Sequence, residues 1–149
     1  MNIHEPTEQA QAVITESTTS DSEIIIIDDD PGFSFMLKDY LASTGQWKAE
    51  LFSNGNDFLK NYRSHDTRKI ILDYEFVEGP SGLVTLQKIK ERNPMAVVIM
   101  VSGQDDLERA VETLRKGATD YFLKTNKTVF ANIVCSLNKL HEMEKNKWN

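Results

Sequence analysis

The chain has 149 residues, which is the usual length of one domain and too short for a typical two-domain enzyme. Hydrophobic residues make up 40% and charged residues 27% of the chain, which excludes a wholly disordered or collagen-like protein. The net charge of −6 would repel a nucleic-acid backbone and an anionic membrane surface, so we expect neither as a direct partner.

The single cysteine and the short apolar runs bear on where in the cell the protein is expected. Cys135 is the only cysteine, so no intramolecular disulfide and no cysteine pair for a zinc site is available. The longest apolar run, residues 95–101, is too short to span a bilayer, and residues 1–10 lack the basic start and apolar core of a signal peptide. We therefore expect a cytoplasmic protein.

The first structural unit follows a polar segment. Residues 1–22 contain no Lys or Arg and are rich in Thr, Ser, Glu and Gln, which predicts a disordered acidic tail. The β-branched run Ile24–Ile27 predicts a buried parallel strand, and Asp30 before Pro31 predicts the start of a helix. Gly45 is expected to end that helix. The apolar positions of one helical face are Phe33, Met36, Leu37, Tyr40 and Leu41.

Four more strand and helix units follow in strict alternation. Strands are predicted at residues 47–52, 70–72, 96–101 and 121–123. The apolar positions of the helices between and after them are Phe58, Leu59 and Tyr62, then Leu83, Leu86 and Ile89, then Leu107, Ala110, Val111 and Leu114, and finally Val129, Ile133, Val134, Leu137 and Leu140. Five such units predict an α/β fold with a five-stranded parallel sheet and helices on both faces.

Polar side chains stand at the ends of four of the five predicted strands. They are Asp28, Asp29, Asp73, Ser102 and Lys124. Because the carboxyl ends of parallel strands meet at one edge of the sheet, where ligands bind, all five are expected to converge. Any one of them alone would be read as a loop residue or a helix cap, and we interpret Asp30 in that way.

The converging set predicts phosphoryl chemistry assisted by a metal ion. Two close carboxylates repel each other by about 4 kcal/mol at an effective dielectric constant near 20, so cations are needed among them. Oxygen ligands without His or Cys favour a hard ion such as Mg²⁺, and Lys124 supplies a second positive charge. Between these cations Asp73 could attack a phosphoryl group, and Ser102 could donate a hydrogen bond to the transferred group.

Four motifs in this order, IIIIDDDP, IILDY, VIMVSG and GATDYFLK, resemble the receiver domain of two-component response regulators. The resemblance covers about residues 23–145 and implies the flavodoxin-like (βα)5 fold with strand order 2-1-3-4-5. It also implies a signalling switch rather than an enzyme. A histidine kinase or histidine phosphotransfer protein would be the phosphoryl donor, and residues 105–149 would contact an output protein or a dimer partner.

The resemblance assigns a role to individual residues. Asp73 is the implied phosphoacceptor, Ser102 the switch hydroxyl, and Lys124 the contact to the phosphoryl group. The implied Mg²⁺ ligands are Asp28, Asp29, Asp73 and the backbone carbonyl of Glu75. Tyr121 matches the switch aromatic of the family, although an ordinary half-buried strand aromatic explains it equally well.

The sequence departs from the family pattern at three places near the site. Val77 stands where a proline is common, in a loop one residue longer than usual, so the Glu75 carbonyl could be shifted. Gly103 replaces the usual alanine and should leave the phosphoryl group more open. Thr125 replaces the proline after Lys124, so we expect either a trans bond with a changed loop or a strained cis bond.

Two alternatives to a phosphorylated signalling switch fit the same residues. The acidic start also fits a phosphatase of the haloacid dehalogenase type, with Asp28 as nucleophile and Ser102 and Lys124 as its second and third motifs. That interpretation lacks an acidic pair after Lys124 and leaves Asp73 without a role. The altered loop after Asp73 also allows a degenerate receiver that acts only as a binding module.

Overall fold

A computed structural model describes residues 23–44 and 46–147. Strands and helices alternate throughout this part of the chain. The strands are β1 (Ile24–Ile27), β2 (Ala49–Phe52), β3 (Lys69–Asp73), β4 (Val98–Ser102) and β5 (Asp120–Leu123). The helices are α1 (Pro31–Ser43), α2 (Gly55–Leu59), α3 (Gly82–Arg92), α4 (Leu107–Arg115) and α5 (Val129–Lys147).

The five strands form one sheet in the order β2-β1-β3-β4-β5, and every pair is parallel. The predicted fold and strand order are therefore confirmed. The strand order reverses between β1 and β3, and Ile27 lies opposite Leu72 at that point. The residues that follow these two, Asp28 and Asp73, consequently start side by side at the carboxyl edge.

Two apolar layers cover the two faces of the sheet, because successive strand residues point to opposite sides. Ile25 and Ile27 pack with α2 and α3, whereas Ile24 and Ile26 pack with α1 and α5. The side chains of α1 and α5 that are fully buried include Leu37, Leu41, Ile133 and Leu137. Helices on both faces were predicted, and this arrangement confirms them.

The apolar spacing predicts the buried face only in part for α1 and wrongly for α4. In α1 the buried positions are Ser34, Leu37 and Leu41, whereas Met36 is 63% exposed. In α4 only Thr113 is buried, and Leu107 is 77% exposed. The polar Thr113 side chain is tolerated inside because its hydroxyl donates to the Arg109 carbonyl at 2.7 Å.

The start of α1 follows the predicted capping chemistry. Asp30 precedes α1, and its carboxylate accepts hydrogen bonds from the N–H groups of Gly32 at 3.0 Å and Phe33 at 3.4 Å. Pro31 occupies the first helical turn, where its missing N–H has no cost. The predictions for residues 1–22 and for Gly45 lie outside the described residues. Among the helices described, none has the length and apolar content that crossing a bilayer requires.

Candidate functional site

The strand ends bring three carboxylates together at the carboxyl edge of the sheet. One oxygen from each of Asp28, Asp29 and Asp73 lies within 4.8 Å of the others. Asp28 is only 4% exposed and Asp73 only 3%, whereas Asp29 is half-buried. The convergence predicted from the strand ends is therefore present for the acidic residues.

Lys124 lies among these carboxylates. Its Nζ atom is 2.8 Å from Asp28 Oδ2 and 3.3 Å from Asp73 Oδ2, and it also lies 4.5 Å from the centre of the Phe33 ring. The backbone N–H of Lys124 donates to the Ser102 carbonyl at 2.8 Å, which fixes its position at the end of β5. The ammonium group thus bridges the ends of β1 and β3.

Burial and mutual repulsion make the charges at this site costly. Burial, reinforced by the nearby charge of Asp28, raises the pKa of Asp73 from 3.8 to about 7, although Lys124 opposes the change. Burial likewise raises the pKa of Asp28. Burial alone would lower the pKa of Lys124, but the two carboxylates outweigh it, so the net change is upward. A single ammonium group does not neutralise the three acids.

The carboxylate oxygens of the acidic cluster fit a hard divalent cation. Asp73 Oδ1 is buried and has no hydrogen-bond partner, so a strong acceptor is left without compensation. Asp29 Oδ2 accepts a hydrogen bond from the Val77 N–H at 3.0 Å, which ties the loop after β3 to the acidic cluster. Oxygen ligands of this kind suit Mg²⁺.

A close backbone approach supports the position of Asp73. A Cβ atom at Gly82 would collide with the Asp73 carbonyl oxygen and would lie 2.7 Å from the Cα of Tyr74. The Gly82 N–H donates to the Tyr74 carbonyl at 2.8 Å. The start of α3 therefore packs directly against the carboxyl end of β3, where only glycine leaves enough room.

The Glu75 side chain lies at the other end of the site, beside Ser102 and Gly103. Its Oε2 atom accepts a hydrogen bond from the Ser102 hydroxyl at 2.7 Å, and its Oε1 atom accepts one from the Gly103 N–H at 3.2 Å. Arg109 forms an ion pair with Glu75 Oε2, and its guanidinium lies 4.1 Å from the centre of the Tyr74 ring. The sequence placed Glu75 beside the site but did not indicate which side chains its carboxylate contacts.

Arg109 was not predicted from the sequence, although a signal was available. It lies in the first turn of α4, where the helix dipole disfavours a positive charge. A cation in that position is better explained by an anionic partner outside the helix, and here that partner is Glu75.

The remaining predicted positions are Tyr121, Gly103 and the bond that follows Lys124. Tyr121 points into the protein, and burial of its hydroxyl raises the pKa of the phenol while the adjacent Ser102 hydroxyl and Arg109 oppose the change. A Cβ atom at Gly103 would meet nothing within 4 Å, so this side of the site is open. The bond between Lys124 and Thr125 is trans, which is one of the two predicted outcomes.

Comparison with known sequences decides the family. The sequence model of the response regulator receiver domain matches residues 24–132, which is more than half of the chain. The chain belongs to this family. Response regulator receiver domains are signalling switches of two-component systems, and neither the family match nor the described residues favour the phosphatase alternative.

Curated relatives include receiver-containing transcriptional regulators. The chain is 35% identical over 99 residues to the DNA-binding transcriptional regulator NtrC of Salmonella typhimurium, covering 66% of this chain and 21% of the relative. It is 30% identical over 107 residues to the transcriptional regulatory protein ZraR of Escherichia coli, covering 72% of this chain and 24% of the relative. The chain therefore spans about a fifth to a quarter of these relatives' length.

Solved receiver structures show the same architecture. A CheY-like receiver domain protein of Methanospirillum hungatei superposes with a TM-score of 0.71 at 25% identity, covering 85% of this chain and 99% of that one. The receiver domain of NtrX from Brucella abortus gives a TM-score of 0.65 at 26% identity, covering 75% and 93% of the two chains. The receiver fold is thus common to all three.

Proposed function

We propose that this receiver domain accepts a phosphoryl group on Asp73 from the phosphohistidine of a histidine kinase or histidine phosphotransfer protein. The observation that supports this most directly is the buried, unpartnered Oδ1 of Asp73 beside Asp28, Asp29 and Lys124. It is a nucleophilic oxygen in a site that is otherwise arranged to offset negative charge.

In the proposed transfer, an Asp73 carboxylate oxygen forms a bond to phosphorus as the bond between phosphorus and the donor's imidazole nitrogen breaks. The electron pair of that bond returns to the imidazole ring. Lys124 lies 3.3 Å from Asp73 and offsets the charge on the acceptor and on the transferred group. No catalytic turnover of a small-molecule substrate is part of this function.

Mg²⁺ is the proposed cofactor, and its ligands would be the carboxylates of Asp28, Asp29 and Asp73 with the backbone carbonyl of Glu75. When bound, the ion supplies positive charge to the carboxylates and to the phosphoryl oxygens. The orphaned Asp73 Oδ1 and the oxygen-only donor set support this assignment.

The proposed switch involves Ser102, Lys124 and Tyr121. A phosphoryl group on Asp73 adds charge that the Ser102 hydroxyl and the Lys124 ammonium can bind, and Tyr121 lies beside Ser102. Residues 105–149 are the proposed contact surface for an output protein or a dimer partner.

The proposed domain is 23–145, and we propose a cytoplasmic location, which the free Cys135 favours.

The direct test is incubation with Mg²⁺ and acetyl phosphate, followed by detection of a hydroxylamine-labile adduct by mass spectrometry. Wild type should form the adduct and Asp73→Asn should not. Asp30→Asn is the matched control, because asparagine keeps the helix cap and Asp30 does not join the acidic cluster. Absence of the adduct from wild type with Mg²⁺ bound would support the degenerate receiver. Phosphatase turnover abolished by Asp28→Asn would support the dehalogenase-type enzyme.

A further inference from the structure

The Glu75 carboxylate binds the two hydrogen-bond donors at the end of β4. Its two oxygens separately accept from the Ser102 hydroxyl and the Gly103 N–H. In the sheet register Asp73 lies opposite Val101, so these two donors come immediately after the residue beside the phosphoacceptor. A phosphoryl group on Asp73 would therefore need the donors that Glu75 already occupies.

We propose that the Glu75 carboxylate is an internal anion that holds Ser102 and Gly103 in the resting protein and must be displaced when Asp73 is phosphorylated. We further infer that Arg109 transmits this displacement to the first turn of α4. Both steps rest on the proposed function, because they assume that Asp73 receives the phosphoryl group.

Displacement follows from charge and from the limited number of donors. A phosphoryl group brings nearly two negative charges and three strong acceptor oxygens. The Ser102 hydroxyl has a single proton to donate, so it cannot serve the Glu75 carboxylate and a phosphoryl oxygen fully at the same time. The carboxylate and the phosphoryl group also repel each other, which favours a position of Glu75 away from the site.

Arg109 connects the same carboxylate to helix α4. Its guanidinium pairs with Glu75 and lies over the Tyr74 ring, while its backbone N–H is bound by the Asp106 cap at 3.2 Å. Helix α4 has few other attachments, since Thr113 is its only buried residue. Loss of the Glu75 carboxylate from the site therefore removes the ion-pair partner of Arg109 and leaves its 3.4 Å contact with the Ser102 hydroxyl.

The first test concerns the resting protein and needs no phosphorylation. In ¹H–¹⁵N NMR spectra of the full chain, Glu75→Ala should shift the amides of Gly103 and of the first turn of α4. Glu78→Ala is the matched control, because Glu78 is an exposed acid in the same loop outside this hydrogen-bond network. Amide shifts no larger than those of the control would overturn the proposed resting contact.

The second test measures binding of beryllofluoride, a phosphoryl mimic, at saturating Mg²⁺. Glu75→Ala should bind it about tenfold more tightly than wild type, because no internal anion has to be displaced. Glu78→Ala should match wild type. Unchanged or weaker binding by Glu75→Ala, with wild type still binding, would overturn the displacement while leaving the proposed function intact.

The coupling to α4 is tested with Arg109→Gln. On adding beryllofluoride, its Gly103 amide should still shift, whereas the α4 amide shifts should fall to less than half of those in wild type. Arg115→Gln, in the last turn of the same helix, should keep the full α4 response. Equal α4 responses in the two variants would overturn the role of Arg109.

If wild type and Glu75→Ala both failed to bind beryllofluoride and to form the adduct, the proposed function itself would be wrong.

Discussion

At the scale of single residues, the buried carboxylates of the site lie close enough to disfavour one another's charge. Asp73 is buried next to Asp28, and the Lys124 ammonium is shared between them at 3.3 Å and 2.8 Å. The same burial that leaves Asp73 Oδ1 without a hydrogen bond makes its ionised form costly in the folded protein. Burial of these charges therefore destabilises the folded protein unless a cation offsets them.

Asp73→Asn should therefore raise the free energy of unfolding when divalent ions are removed with EDTA. The folded protein holds the Asp73 proton up to about pH 7, whereas the unfolded chain loses it near 3.8. Between these values the folded state binds more protons, so wild-type stability falls as pH rises. We expect little difference between the proteins near pH 4 and a gain for Asp73→Asn on the order of 2 kcal/mol above pH 7, measured by urea denaturation.

Saturating Mg²⁺ provides the control for this experiment. Binding to the folded state alone should stabilise wild type more than Asp73→Asn, because the variant lacks one of the proposed carboxylate ligands. The difference measured in EDTA should then shrink or change sign. A variant less stable than wild type in EDTA above pH 7 would contradict the assigned electrostatics.

At the scale of elements, the three consecutive aspartates after β1 have separate duties. Asp28 and Asp29 join the acidic cluster, whereas Asp30 accepts hydrogen bonds from the first N–H groups of α1. Asp30→Ala should lower the free energy of unfolding by about 1 kcal/mol in urea denaturation, because those N–H groups lose their acceptor. Asp30→Ser should recover most of the loss. Loss of the acetyl phosphate adduct in a folded Asp30→Ser protein would contradict a purely capping role.

Helix α4 should be the least protected of the longer helices. Its apolar side chains Leu107, Val111 and Leu114 are all exposed, whereas α3 buries Leu86 and Ile89 completely. Local opening therefore exposes little additional apolar surface in α4. In amide hydrogen exchange we expect protection factors at the centre of α4 to be at least about tenfold below those at the centre of α3. Equal protection in the two helices would show that α4 opens only with the whole domain.

The order of elements could be predicted from the sequence, but the buried face of α4 could not. Strands such as Ile24–Ile27 are short, continuous apolar runs that end in polar residues, and runs of this length are typical of buried strands rather than of helices. The face of α4 was wrong because apolar spacing gives the amphipathic stripe and does not state which neighbour covers it. Thr113 faces inward, since its hydroxyl is satisfied within the helix.

In the candidate site, too, the sequence predicts positions along the chain but not which side chains contact each other. The positions at the strand ends, such as Asp73 and Lys124, were predictable because parallel topology forces them to one edge. The contact between Glu75 and Arg109 joins two segments whose paths depend on side-chain packing, so sequence spacing contains no information on it. Only the unfavourable charge of Arg109 in the first turn of α4 indicated that a partner exists.

At the scale of the whole molecule, one sheet links the site to both apolar layers. Strand β3 contributes Ile71 to one layer and Leu72 to the other, and its next residue is Asp73. A change at the site is therefore adjacent to tightly packed residues that resist gradual deformation. Rearrangement is expected instead in the exposed loops and in α4, where fewer side chains are buried.

The proposed domain boundary at residue 23 leads to a final prediction. Every described member of the two apolar layers, the sheet and the acidic cluster lies between residues 23 and 147. Deletion of residues 2–21 should therefore change the free energy of unfolding by less than about 0.5 kcal/mol and leave the acetyl phosphate adduct intact. Deletion of residues 2–26 is the control and should prevent folding, because it removes most of the interior strand β1. A loss above about 1 kcal/mol in the shorter deletion, measured by urea denaturation, would place part of the stabilising structure before residue 23.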